Sequence, residues 1–220
     1  MAGRRSYDDP CGLARALDVV GERWALLVVR ELLLGPKRFT DLRAGVPHAG
    51  PDMLSQRLRE LEAAGIVARR TLPPPAAARV YELTARGREL EPVVLTLGRF
   101  GSTAPLPGGD AAFGPDAAVL ALKTLFDPAA ADGLDLAAEL RLGGWTYALR
   151  VRGGTIEVSR GDLPGAGVAI SADPSALAAV LWHGRPLDDA VAAGAVAIEG
   201  DRRAAGRLLR LFPLPDANPR

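Results

Sequence analysis

Three leucines at helical spacing, Leu54, Leu58 and Leu61, follow Pro51 and lead through Ala64-Gly65 into a basic ribbon, an order that leaves few folds open. Pro51 suits the first position of a helix, where its missing N–H costs nothing, and Asp52 suits the positive end of the helix dipole. Residues 45–50 (GVPHAG) read as a turn. Ahead of it the sequence predicts a short helix with Thr40 as N-cap and Phe39 as an apolar anchor just before the cap. Beyond Gly65, residues 66–72 and 79–83 read as two strands around a tip of three prolines and three alanines. The prolines remove backbone donors, so the tip extends rather than pairs. Thr84 then caps a helix running to about Phe100. Helix, turn, helix and charged hairpin across residues 36–86 is the arrangement that a winged helix-turn-helix uses to enter a major groove and touch the flanking phosphates.

Two helices precede this unit. Leu13, Leu17 and Val20 recur at helical spacing after Cys11, and that helix ends near Gly21. Residues 24–34 (WALLVVRELLL) are nearly all apolar, so the second helix is buried on most sides, and Gly35-Pro36 stops it.

With Leu54, Leu58 and Leu61 turned inward, Ser55, Gln56, Arg59 and, near the helix start, Asp52 point outward. Guanidinium and amide groups match base edges, arginine to guanine and glutamine to adenine, although the same residues are common on any solvated face. Arg57 lies nearer the core edge, where a salt bridge fits it at least as well as DNA. Arg38 and Thr40 sit where the first helix of the motif crosses the phosphate backbone. Arg69, Arg70 and Arg79 border the hairpin, placed either for phosphates and the minor groove or simply as solubilising charge.

Charge is distributed accordingly. The net charge of the 220 residues is +1, yet residues 1–104 hold 16 Lys and Arg against 12 Asp and Glu, while residues 105–220 hold 11 against 14. Within residues 35–88 the balance is 10 basic to 5 acidic, and such a region attracts phosphates by counterion release. The start of the chain is too polar for a secretory signal and no apolar run approaches a membrane span, so a cytoplasmic protein without a membrane partner is expected. One cysteine and two distant histidines exclude a disulfide framework and leave no metal-ligand cluster. No nucleophile triad, paired carboxylates or phosphate-cradling loop is present in the pattern, so neither a cofactor nor an enzymatic role is expected.

Residues 101–115, rich in Gly and Pro, read as a linker between a DNA-binding domain over 1–100 and a second domain over 116–214. In the second domain, residues 117–125 look helical. Residues 134–142 and 145–151 alternate apolar and polar side chains with period two, and Gly153-Gly154 forms a hairpin turn after which Ile156 and Val158 face inward. Residues 168–170 and 196–199 add strands. Helices are predicted from Asp173 or Ser175 through Trp182, over 187–193 and over 201–212. The fold class is therefore α+β, a winged helix-turn-helix followed by an α/β sandwich with helices on one face of its sheet.

Three stretches, CGLARALDVVGERWALLVVRELLLGPKRFTDLRAGV, MLSQRLRELEAAGIVARR and RVYELTARG, resemble the HxlR family of winged helix-turn-helix transcriptional regulators, over about residues 8–100. The resemblance implies a homodimer on pseudo-palindromic double-stranded DNA, paired through the first and last helices of the domain. Its PPPAAA wing tip departs from the family in being less polar. Cys11 falls where family members often carry a cysteine, which in some senses oxidants or electrophiles. More loosely, WTYALRVRGGTIEVSRG, VAISADPSALAAVLWHG and GAVAIEGDRRAAGRLLRLF resemble the sterol carrier protein 2-like fold. That resemblance implies an apolar tunnel for a hydrophobic small molecule, lined here by Trp145, Tyr147, Leu149, Trp182 and Phe212, or else a solid core filled by the same residues.

These readings combine into a dimeric DNA-binding regulator, a repressor, whose operator affinity is modulated by a hydrophobic molecule in the C-terminal domain. Two alternatives stay open: a lipid carrier whose helical domain mediates protein interaction, and a redox-sensing regulator acting through Cys11.

Overall fold

The computed structural model describes residues 6–75, 77–104 and 113–215. Their contacts divide them into two compact units, Met1–Val94 and Leu95–Arg220. The division falls a few residues before the expected domain end at 100, and residues 105–112 of the expected linker lie outside the described residues.

In the first unit, α1 (Gly12–Val20) buries only Ala14 and Val20 and leaves Leu13 and Leu17 exposed. The chain then turns through Trp24, whose φ of 76° places it in the left-handed region, with the Arg23 guanidinium 4.7 Å from its ring centre. Helix α2 (Ala25–Leu33) buries Ala25, Val28, Val29 and Leu32 and also the carboxylate of Glu31. Helix α3 (Phe39–Gly45) begins earlier than its sequence suggested. Its N-cap is Arg38, not Thr40, because Phe39 packs against the core while already helical. Asp41, at the third helical position, accepts a hydrogen bond from the Arg38 backbone N–H at 3.2 Å and does the capping that Thr40 was expected to do.

Helix α4 (Pro51–Ala63) starts at the proline, with Leu54, Leu58 and Leu61 fully buried. Each contributes roughly 1.5–3 kcal/mol by leaving water. Its end is closed by Gly65 at φ 70°: the Ile66 N–H reaches the Leu61 carbonyl and the Gly65 N–H reaches the Glu62 carbonyl, both at 2.9 Å. That closure turns the chain into β1 (Val67–Thr71), which pairs antiparallel with β2 (Arg79–Leu83), Val67 opposite Leu83 and Thr71 opposite Arg79. One further bond, Leu72 N–H to the Ala78 carbonyl at 2.9 Å, precedes the proline tip.

Thr84 caps a helix as expected, its hydroxyl accepting from the Gly87 N–H, but that helix does not run on to Phe100. The chain forms a single turn, α5 (Ala85–Arg88), and restarts as α6 (Glu91–Gly101). Pro92 supplies the reason: it has no N–H to offer the Arg88 carbonyl, and its ring crowds the preceding turn.

Glu31 binds these elements together. One carboxylate oxygen accepts from Lys37 Nζ at 2.5 Å and the other from Arg30 at 2.8 Å, and Arg30 also donates to the Gly45 carbonyl at 3.1 Å. Lys37 in turn exchanges backbone hydrogen bonds with Tyr81 of the wing, at 3.0 and 2.8 Å. Helix α2 is thereby tied to both ends of α3 and, through Lys37, to β2. Gly45 has no side chain because a Cβ there would collide with the Glu31 carboxylate.

The second unit begins its described core with α7 (Pro115–Leu125). A five-stranded sheet follows from β3 (Asp135–Leu142), β4 (Trp145–Arg152), β5 (Thr155–Arg160), β6 (Val168–Ala172) and β7 (Val196–Gly200), in the order β5-β4-β3-β6-β7. The β3–β6 pair is parallel and the others are antiparallel. Gly143-Gly144 and Gly153-Gly154 all have positive φ, as two-residue hairpin turns joining right-twisted strands require. Helices α8 (Pro174–Trp182), α9 (Leu187–Ala192) and α10 (Arg202–Leu209) complete the unit, α8 and α10 capped by Asp173 and Asp201.

One sheet face carries Leu140, Leu142, Tyr147, Leu149 and Ile170, all essentially inaccessible, and the other carries Glu139, Arg141, Arg150 and Glu199. A polar trio, buried Asp116 and Tyr147 with half-buried Arg160, sits beside the apolar face. Tyr147 and Arg160, opposite one another on β4 and β5, each donate to one oxygen of Asp116 at 2.5 Å. Burial first, and then the Asp116 hydrogen bond, push the Tyr147 phenol above its ordinary value.

Removing Glu31 alone takes away the buried carboxylate that Lys37 and Arg30 share. Glu31→Ala is expected to lower unfolding stability in urea by about 3–5 kcal/mol, while the Glu31→Met, Lys37→Met pair recovers most of that loss. A single-variant loss below about 1 kcal/mol would show that the pair does not hold the domain together.

Candidate nucleic-acid interface

The stripe that buries Leu54, Leu58 and Leu61 leaves Asp52, Gln56, Arg59 and Glu60 on the exposed face of α4, with Ser55 half-buried beside them. Arg38 and Thr40 are exposed at the start of α3, and Arg69, Arg70 and Arg79 are exposed along the hairpin. The eight residues expected to meet DNA thus occupy two adjacent helices and the hairpin that follows them. Arg57 is not among them. It is 4% exposed, and its guanidinium bonds to Glu60 one turn along and lies 3.5 Å from Glu22.

Carboxylates that sequence reasoning passed over are woven through this surface. Gln56 Nε2 donates to Glu60 Oε1 at 2.9 Å. Arg69 pairs with Glu62 at 2.8 Å and lies over the Tyr81 ring, 5.3 Å from its centre. Arg70 reaches diagonally across the hairpin to Glu82 at 3.2 Å. Among the described residues Arg38, Arg59 and Arg79 have no ion-pair partner, so their charges face solvent uncompensated. The signal for the Glu60 contacts was present in the spacing, since positions three and four apart share a helix face. The hairpin pairs depend on strand register, which a proline-rich tip leaves open.

Of the residues expected to line a C-terminal tunnel, Tyr147, Leu149 and Phe212 are buried. Trp145 is half-buried with Arg160 over its ring at 4.6 Å. Trp182, also half-buried, meets Phe113 edge-on and donates to the Phe212 carbonyl at 3.0 Å. An open groove of about 320 Å³ runs between α8, α9 and α10, lined by Val180, Leu181, Leu187, Leu209 and Phe212 with Arg185 and Arg210 beside them.

Cys11 is exposed at the head of α1. Its sulfur makes no cap hydrogen bond of ordinary geometry, but the N–H groups of Leu13 and then Ala14 favour the thiolate and hold the thiol below its usual value. Among the described residues no helix is long and apolar enough to cross a membrane, and no group of three His, Cys, Asp or Glu is placed to hold a metal ion.

Residues 19–105 match the family model described as HxlR-like helix-turn-helix. An HTH-type transcriptional regulator of Synechocystis, sll1512, is 37% identical over 92 residues, which span 42% of this chain and 68% of that protein. The chain belongs to the HxlR-like family. It is accordingly a DNA-binding transcriptional regulator. The HTH-type regulator YodB of Bacillus subtilis is 38% identical over 78 residues, 36% of this chain and 70% of its own. A structure of the redox regulator HypR in its oxidized form shares 36% identity and covers 44% of this chain and all of that one, with a TM-score of 0.41. The family match, over residues 19–105, falls within the half of the chain that holds the helix-turn-helix.

Proposed function

We propose that this HxlR-like regulator is a dimeric repressor that reads double-stranded DNA with Ser55, Gln56 and Arg59 of α4. Arg38, Thr40, Arg69, Arg70 and Arg79 bind the flanking phosphates. The observation that carries this reading is the exposure of Gln56 and Arg59 on α4, with Ser55 half-buried beside them, together with that of Arg38 and Thr40 at the start of α3 and of Arg69, Arg70 and Arg79 on the hairpin. Arginine and glutamine on such a face suit base edges, and the uncompensated arginines suit phosphates.

Dimerisation is favoured by the apolar side chains left in water. Leu13 and Leu17 on α1 and Val93, Leu97 and Phe100 on α6 are all exposed, and α6 buries no residue. A groove of about 770 Å³ lies alongside α1, lined by Gly12, Arg15, Val19, Ile66, Arg86 and Leu90, and suits a partner's helix. A second copy covering these faces would also double the number of base pairs read, which one short recognition helix needs.

The second unit, which we read as a sterol carrier protein 2-like domain joined by a linker, receives a small hydrophobic anion. The groove between α8, α9 and α10 favours this, since its walls are apolar and neither Arg185 nor Arg210 has an acidic partner among the described residues. Its volume lies at the lower end of small-molecule sites, about 300 Å³ and upward. Such a ligand alters operator affinity only as far as it binds the free and DNA-bound conformations differently.

A second reading rests on Cys11. An exposed thiol whose helix N-terminus favours the thiolate is poised for oxidation, and with one cysteine per chain the disulfide would join two subunits.

Separate experiments test the DNA, groove and redox readings. Wild-type protein binds a duplex selected from random sequence at two chains per duplex, with affinity falling steeply as salt rises. The Gln56→Ala, Arg59→Ala double variant loses the preference for that duplex over a scrambled one, and an unchanged preference would remove α4 from the base-reading role. For the groove, the fluorescent anion 8-anilinonaphthalene-1-sulfonate binds the folded wild type and is excluded by Gly206→Phe, which fills the groove; equal binding by the variant places the dye elsewhere. For Cys11, iodoacetamide reacts at a pH below that needed for a free cysteine peptide, and diamide weakens DNA binding of the wild type but not of Cys11→Ser. An equal diamide response in both proteins would dismiss the redox reading.

A further inference from the structure

Gln56 is the only glutamine in the chain, and the only asparagine, Asn218, lies near the far terminus. The single carboxamide of the DNA-binding unit therefore stands on the exposed face of α4, and it is not free to rotate. Its Nε2 donates to Glu60 Oε1 at 2.9 Å, while the other oxygen of Glu60 accepts from Arg57. Arg57 is buried, and on its far side it lies 3.5 Å from Glu22, between α1 and α2. Glu60 is thus anchored from the core side through Arg57, and Gln56 is anchored through Glu60.

The chemistry of the anchor sets the polarity of the amide. An ionised carboxylate only accepts hydrogen bonds, so Gln56 must turn an N–H towards it. That contact uses one N–H and leaves Oε1 and the second N–H of exposed Gln56, one acceptor and one donor, for another partner. Adenine presents the complement in the major groove, an N6–H2 donor beside the N7 acceptor. A glutamine without the anchor would sample both flips and several rotamers, and would lose part of its discrimination in ordering itself on the base.

We propose that Glu60, held by buried Arg57, is a specificity-determining positioning residue that sets the Gln56 amide to read adenine at one position of the operator. This rests on the reading that Gln56 faces the bases. Glu60 does not itself touch DNA in this scheme. Its negative charge on the DNA-facing helix weakens attraction to phosphates of any sequence, so its two effects have opposite signs. Losing Glu60 lowers discrimination while raising non-specific affinity, a combination that simple unfolding or loss of a DNA contact does not produce.

The test uses the full-length chain and a duplex selected by that chain from random-sequence DNA, together with versions in which each A·T pair is replaced singly by G·C. Gln56→Ala is expected to abolish discrimination at one A·T pair, a loss of roughly 10- to 100-fold, the worth of one bidentate contact. Glu60→Gln, which keeps the shape but can present either a donor or an acceptor, loses most of that discrimination at the same pair and no other. It binds a scrambled duplex as tightly as the wild type or more so. Combining both substitutions adds nothing at that pair. Glu60→Ala gives the same pattern and, with no second glutamine introduced, shifts the Gln56 side-chain amide signal in the 15N NMR spectrum of the DNA-free protein. Full discrimination in both folded Glu60 variants, or losses that add in the double variant, overturns the positioning role alone. Full discrimination in Gln56→Ala overturns the base-reading role of Gln56 and the proposal together.

Discussion

The contact between Glu31 and Lys37 is the one on which the geometry of the DNA-binding unit depends. A carboxylate and an ammonium are buried together at 2.5 Å, and neither belongs to α4. Their effect is transmitted through what they hold. Arg30, paired to the same carboxylate, grips the end of α3 at Gly45, and the backbone of Lys37 grips the wing at Tyr81. The apolar surface of α2 sets how closely the helices approach, but apolar contacts are non-directional. The charges define one rotation of α3 against α2, because a buried pair is tolerated only where the geometry satisfies it.

Much of this was legible in the sequence, for reasons that can be located. The Leu54, Leu58 and Leu61 stripe reports burial directly, and the ends of α4 are marked by Pro51, whose missing N–H costs nothing in a first turn, and by Gly65, whose left-handed backbone few other residues adopt without cost. The alternation in residues 134–142 and 145–151 likewise exposes the sheet, since a period of two admits no helix. Local chemistry misled at two points. Thr40 is a better N-cap by type than Arg38, yet the packing of Phe39 starts the helix earlier and Asp41 supplies the cap. Pro92 splits what looked like one helix after Thr84, a break that its missing N–H should have signalled.

The interactions that were not legible are long-range pairings of charge. Asp116 meets Arg160 across 44 positions of chain and Tyr147 across 31, and no local pattern announces either meeting. The same holds for Glu22 with Arg57. Glu31 and Lys37 are close in sequence, but a charged residue inside an apolar helix reads as an interruption until its partner is placed. Conversely, the aromatic residues of the second unit were conspicuous in sequence but ambiguous in meaning. Tyr147 and Phe212 are buried within the packing and Trp145 and Trp182 lie at its margins, whereas the groove beside Phe212 is walled by aliphatic side chains and arginines without distinctive spacing.

Helix α6 has a consequence for how such a regulator behaves in a cell. Eleven residues long and without a buried side chain, it is too short to be stable in water by its own propensity. If a second copy provides its missing half, folding of this segment and assembly become one equilibrium, and stability follows the amount of protein present. Occupancy of a DNA site would then rise more steeply than in proportion to expression. Control of a gene by this regulator would then switch over a narrow range of protein level, a threshold set by the water-exposed faces of Val93, Leu97 and Phe100.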